Sequence, residues 1–91
     1  MRPGVRPEAP TVRITLKLFA TYRQYLPLGS VGNACDVDVP TGTPVIDLLT
    51  RFGIPYESGA SVVLVNGRGV SPEQALEAGD VVAVFPALAG G

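Results

Sequence analysis

The stretch Thr41-Gly42-Thr43-Pro44-Val45-Ile46-Asp47-Leu48-Leu49-Thr50-Arg51-Phe52-Gly53-Ile54-Pro55 decides the fold. Val45, Leu48, Leu49 and Phe52 recur at i, i+3, i+4 and i+7, which lays one apolar stripe along a helix and demands a surface to cover it. Both ends are marked. Thr43 is the predicted N-cap and Pro44 the first helical residue, where a missing N–H leaves nothing unsatisfied. Gly53 can take the left-handed conformation that closes a helix, and Pro55 prevents its continuation.

Upstream, Val12, Ile14, Leu16 and Leu18 alternate with Arg13, Thr15, Lys17 and Phe19, the period of a strand with one buried face. Residues 20–26 read as one or two helical turns, closed by Pro27 and Gly29. After a loop, Cys35, Val37 and Val39 alternate with Asp36 and Asp38 in a second strand. Downstream, Val62-Val63-Leu64-Val65 is an uninterrupted apolar run, predicted as a central strand. Asn66-Gly67 signals a two-residue hairpin returning through Arg68, Gly69 and Val70. Ser71 and Pro72 can start a helical turn over 71–76, residues 77–80 turn the chain, and residues 81–85 form a last strand that Pro86 stops.

Two strands before one long helix cannot make a doubly wound sheet. The economical solution is α+β: a single mixed sheet packed on one face by the helix, which is the β-grasp, or ubiquitin-like, architecture. Residues 1–10 carry three prolines and read as an extended leader, residues 11–86 as the β-grasp domain, and residues 87–91 as a C-terminal tail.

Composition narrows the function. A net charge of −1, from seven scattered bases against eight acids, is not the basic surface that nucleic acid requires. No apolar run approaches the ~20 residues of a membrane helix, and residues 1–10 lack the apolar core of a secretory signal. One cysteine fits the reducing cytoplasm. The absence of histidine removes the commonest general base and metal ligand, and with it any Ser-His or Cys-His nucleophile pair. Asp36 and Asp38 share a strand face, but no further ligand lies near them in sequence, so a solvated face and no metal site are expected. Cys35 has no adjacent cation to lower its pKa and falls on the apolar side of its strand. Gly67-Arg68-Gly69 opens no helix and so cradles no phosphate. Tyr22 and Tyr25 read as a helix face half covering the core.

The tail is different. At average usage a glycine pair falls at one fixed place in roughly half a per cent of chains, and Gly90-Gly91 has no turn to make. Without Cβ atoms, such an arm can enter a narrow tunnel, and its carboxylate is ionised at neutral pH. The residues beyond Phe85 can reach ~17–20 Å when extended. A carboxylate is a poor acyl donor until activated, most simply as an adenylate. A chain with a presentable terminus and no catalytic constellation therefore reads as a carrier or substrate and not as an enzyme.

Leu18-Phe19-Ala20-Thr21-Tyr22-Arg23, the helix over 43–53, Val65-Asn66-Gly67-Arg68, and the run from Ala78 through Phe85-Pro86 to Gly90-Gly91 resemble the small subunit of molybdopterin synthase and its relative, the sulfur carrier of thiamine biosynthesis. The resemblance implies a non-catalytic sulfur carrier. An E1-like adenylyltransferase would use ATP-Mg to activate Gly91, and a persulfide-bearing sulfurtransferase would convert it to a thiocarboxylate. The arm would then enter the large subunit of molybdopterin synthase, or thiazole synthase. On this resemblance Gly91 carries the sulfur, Gly90 threads the tunnel, Phe85, Pro86 and Leu88 dock on the partner, and the chain holds no cofactor or metal. Phe85-Pro86 favours the molybdopterin branch, although Ala87 replaces the second proline common there, and the short 53–60 connection is closer to the thiazole type. Three alternatives stay open: a carrier for thiazole, tRNA thiolation or another sulfur metabolite; a ubiquitin-like modifier joined to lysines; and a non-covalent β-grasp module with an incidental tail.

Overall fold

The computed structural model describes residues 10–56 and 59–87. Along the described chain run β1 (Thr11–Leu18), a 3₁₀ helix (Ala20–Tyr25), β2 (Ala34–Pro40), α1 (Val45–Arg51), β3 (Ser61–Val65), β4 (Arg68–Gly69) and β5 (Val81–Pro86). The strands form one sheet in the order β2-β1-β5-β3-β4, in which β1 and β5 are parallel and every other pair antiparallel. This is the mixed β-grasp sheet that the element order implies.

Alternation in β1 sends Ile14, Leu16 and Leu18 into the core. Leu16, with no exposed surface, lies between Cys35 of β2 and Val82 of β5. The α1 stripe covers this side with Val45, Leu48 and Leu49 buried and Phe52 at its margin. The helix ends as its sequence implies. Gly53 has φ +73°, its N–H donates to the Thr50 carbonyl at 3.0 Å, and the Ile54 N–H donates to the Leu49 carbonyl at 2.9 Å. That is a Schellman motif, sealed by buried Ile54 and Leu49.

The helix start differs from expectation. Pro44, with ψ 154°, is the cap residue and not the first helical one, and the Thr43 hydroxyl turns back to donate to the Pro40 carbonyl at 2.6 Å. The reason lies in a distant segment. The single turn expected from Ser71 and Pro72 is present, with the Gln74 N–H donating to the Ser71 carbonyl at 3.1 Å and the Glu73 N–H to Ser71 Oγ at 3.2 Å. The chain then runs beside the helix entrance, with Ala75 bridging Pro44 and the Leu76 N–H donating to the Thr43 carbonyl at 2.8 Å. The Gln74 and Pro72 carbonyls accept the Val45 and Ile46 N–H groups, each at 2.9 Å. The donors that a side-chain cap would satisfy are therefore already taken.

The 62–65 run is also placed differently. β3 is fourth in the sheet, flanked by β5 and the two-residue β4, while β1 and β5 are the inner strands. Val63 and Val65 face the core, and Val62 is 46% exposed on the other side. An apolar run carries no period, so it does not reveal that one of its faces is open. The hairpin after it is as expected: Asn66 (φ 54°) and Gly67 (φ 83°) are both left-handed, as a type I′ turn needs. The Asn66 side chain holds the turn against β5, with Nδ2 donating to Asp80 Oδ1 and Oδ1 accepting the Val81 N–H, both at 2.9 Å.

This placement of β3 predicts unequal costs along one strand. Val65→Ala should lower unfolding free energy by about 2 kcal/mol through lost burial and a cavity. Val62→Thr should stay within about 0.5 kcal/mol of the parent. Urea denaturation followed by circular dichroism measures both, and equal losses would contradict the open face.

Candidate functional site

The sheet has one face turned away from α1, and it includes Phe85 near the end of β5. Strand register places on it Arg13, Thr15 and Lys17 of β1, Ala34, Asp36 and Asp38 of β2, Val81, Ala83 and Phe85 of β5, and Val62 and Leu64 of β3. It divides into two halves.

The β1–β2 half is polar and internally paired. Arg13 donates from Nε to Asp38 Oδ1 at 2.9 Å and from Nη2 to Asp38 Oδ2 at 3.3 Å, and Thr15 donates to Asp36 Oδ1 at 3.1 Å. The hydrogen bond from Arg13, with the charges of Arg13 and Arg51, holds the Asp38 carboxyl below the usual carboxylate range. Both aspartates are thus engaged by neighbours across the strands. Among the described residues no three His, Cys, Asp or Glu side chains gather where a metal ion could bind.

The β5–β3 half is apolar. Val62 lies opposite Phe85 and Leu64 opposite Ala83, and the Phe19 ring stacks on Phe85 with centroids 4.3 Å apart and planes 10° apart. Lys17, the single lysine of the sequence, stands between Ala34 and Ala83 where the halves meet. Phe85 is half-buried on this open face, while Val82 and Val84 take the core positions of the same strand. Pro86 pairs with Ser61, and the ladder continues one residue past it, because the Ala87 N–H donates to the Ala60 carbonyl at 2.9 Å. Of the five residues singled out for the tail and its docking, Phe85 and Pro86 are brought together at the end of β5, whereas Leu88, Gly90 and Gly91 lie outside the described residues.

Sequence reasoning missed Val62, Leu64 and Phe19 as neighbours of Phe85. The Phe19 position could have been found, since it continues the outward phase of β1. The other two were hidden in the featureless apolar run. Cys35 faces the core side opposite Leu16, and burial first, then the neighbouring Asp36 charge, pushes its thiol pKa up. Among the described residues no helix is long and apolar enough to cross a membrane.

The family described as the ThiS family matches residues 16–91. Among solved structures, a candidate molybdopterin converting factor, subunit 1, from Pyrococcus furiosus is 30% identical with a TM-score of 0.67, covering 85% of this chain and 99% of that one. The Haloferax volcanii HVO 2177 protein is 28% identical with a TM-score of 0.72, covering 100% and 99%. Small archaeal modifier protein 1 of Haloferax volcanii is 27% identical with a TM-score of 0.67, covering 85% and 99%. No curated protein shows a significant sequence match.

The surroundings of Cys35 predict an unreactive thiol. A raised pKa leaves less thiolate at neutral pH, so iodoacetamide should label Cys35 in the folded protein more slowly than it labels the denatured chain at pH 7.5. Asp36→Asn should speed labelling without reaching the denatured rate, because burial is the larger cause. Labelling of the native protein as fast as the denatured chain would contradict this account.

Proposed function

The chain belongs to the ThiS family, and from that premise we propose that it is a sulfur carrier, acting as the small subunit of molybdopterin synthase in molybdenum or tungsten cofactor biosynthesis. In this reading Gly91 is the reactive residue. Its carboxylate attacks the α-phosphorus of ATP-Mg held by an E1-like adenylyltransferase, and pyrophosphate leaves. A sulfurtransferase persulfide then forms the C–S bond as the bond to AMP breaks, and a thiol cleaves the resulting S–S bond to release the thiocarboxylate. Gly90 passes through the tunnel of the large subunit, which holds the catalytic residues and takes the sulfur for the pterin. The chain itself holds no cofactor and performs no catalysis, and its work belongs in the cytoplasm with ATP.

One observation carries the reading: the apolar half of the open face runs without interruption to the root of the tail. Phe85 and Pro86, with Val62 and Leu64 beside them, form a docking surface ending at Ala87. The four residues beyond Ala87 span at most about 14 Å, so a partner seated there has Gly91 within a short, fixed reach. Leu88 would continue this apolar contact. Likeness to the candidate molybdopterin converting factor supports the pterin branch. Likeness to small archaeal modifier protein 1 favours a second reading, in which the activated Gly91 is joined to lysines of other proteins.

Incubation with the adenylyltransferase, ATP and a sulfur donor should add to the intact protein the mass gained when sulfur replaces one oxygen. A chain lacking Gly91 should show no gain; if it is modified as well as the parent, Gly91 is not the site. The modifier reading instead yields reductant-resistant isopeptide species in lysates. Docking is tested separately by Val62→Asp, which should weaken binding to the large partner at least about tenfold by placing a charge in an apolar contact. The unfolding midpoint should barely move, since Val62 is 46% exposed. Unchanged affinity would exclude the β5–β3 half as the docking surface.

A further inference from the structure

Beneath the root of the tail lies a chain of hydroxyl contacts. Tyr22, on the 3₁₀ helix and only 6% exposed, directs its hydroxyl to the Ala60 carbonyl at 3.1 Å and lies 2.7 Å from Ser61 Oγ. Ser61 Oγ in turn donates to the Pro55 carbonyl, so the single Tyr22 proton serves Ala60 and Ser61. The Ala60 carbonyl is therefore shared: one lone pair takes the Tyr22 hydroxyl and the other the Ala87 N–H at 2.9 Å. Tyr25 packs edge-on against the Tyr22 ring, with centroids 5.6 Å apart.

This node matters because of Pro86. Proline has no N–H, so among the described residues beyond Phe85 the backbone donor that ties the chain to the sheet is that of Ala87. The direction of the Ala60 carbonyl decides whether that bond forms, and Tyr22 with Ser61 sets that direction from the core side. If the bond opens, more residues separate Gly91 from the last backbone tie to the sheet. A reacting group held by fewer free torsions spends more of its time in a productive geometry.

We propose that Tyr22 is a positioning residue for the C-terminal glycine: its hydroxyl orients the Ala60 carbonyl, which pins Ala87 and aims the tail at the active site of the partner docked on the open face. The inference rests on the reading of Gly91 as the worked residue, and it adds a group on the core side of the sheet that touches neither the tail nor the partner.

Tyr22→Phe removes the hydroxyl and keeps the ring, and Tyr25→Phe is the matched control. Both are measured well below their unfolding midpoints. In Tyr22→Phe the Ala87 amide should exchange with solvent about threefold to tenfold faster, while the Leu16 and Val82 amides follow global stability alone. In pyrophosphate exchange catalysed by the E1-like adenylyltransferase, kcat should fall about threefold to tenfold with KM within about twofold, because the docking face is untouched. Tyr25→Phe should match the parent in both. An unchanged Ala87 exchange rate in Tyr22→Phe overturns the proposal, as does faster exchange with unaltered kcat. Adenylation of a chain lacking Gly91 would instead sink the sulfur-carrier reading, while the Ala87 exchange rates still decide whether Tyr22 holds the tail root.

Discussion

The rest of the structure depends on the parallel pairing of β1 with β5, in which Leu16 sits beside Val82 and Leu18 beside Val84. Parallel neighbours cannot be joined by a tight turn. Everything between them, from β2 through α1 to β4, is therefore crossover, and its one helix of real length covers one face of the sheet. The pairing has a second consequence. The last strand is an inner one, so its end at Pro86 lies in the middle of the sheet, between β3 and β1.

The bare face is kept in order by composition. An open sheet risks pairing with other sheets along its edges, and here both edges are blunted. One is the two-residue β4, and the other is β2, which points Asp36 and Asp38 outward. The Arg13–Asp38 pair is exposed on both sides, at 67% and 54%, so solvent screens it and it adds little stability. Its effect is to leave the β1–β2 half polar and self-satisfied. On the open sheet face the large apolar side chains are thereby gathered on the β5–β3 half, where Phe19 braces Phe85 from the end of β1.

Local signals were legible where a residue's own neighbours in sequence determine its conformation. The alternation of β1 and β2, the stripe of α1, the Gly53 closure and the Asn66-Gly67 turn all belong to this class. The failures share one cause. Thr43 carries every local mark of an N-cap, but the carbonyls that satisfy the helix come from Gln74 and Pro72, about thirty residues away. The open side of Val62 is set by which strand lies beside it, and an apolar run without a period cannot report that. The Tyr22–Ala60–Ala87 linkage joins three distant segments through a carbonyl, a group every residue possesses. The Gly-Gly end was the reverse case: plain in sequence, and outside the described residues.

The geometry also constrains how such a carrier can be used. With no histidine in the chain and the Cys35 thiol pushed away from ionisation, neither a His-paired nucleophile nor a ready thiolate is at hand to act on the terminus. In the reading proposed above, activation and donation of Gly91 fall to different partners. A reach of at most about 14 Å beyond Ala87 would bring both to the same patch around Phe85 and Val62, and they would take turns there. Exclusive use of one face is incompatible with very tight binding to either partner, because a long residence on the first would block the second. A small apolar patch bordered by a paired polar half suits that requirement.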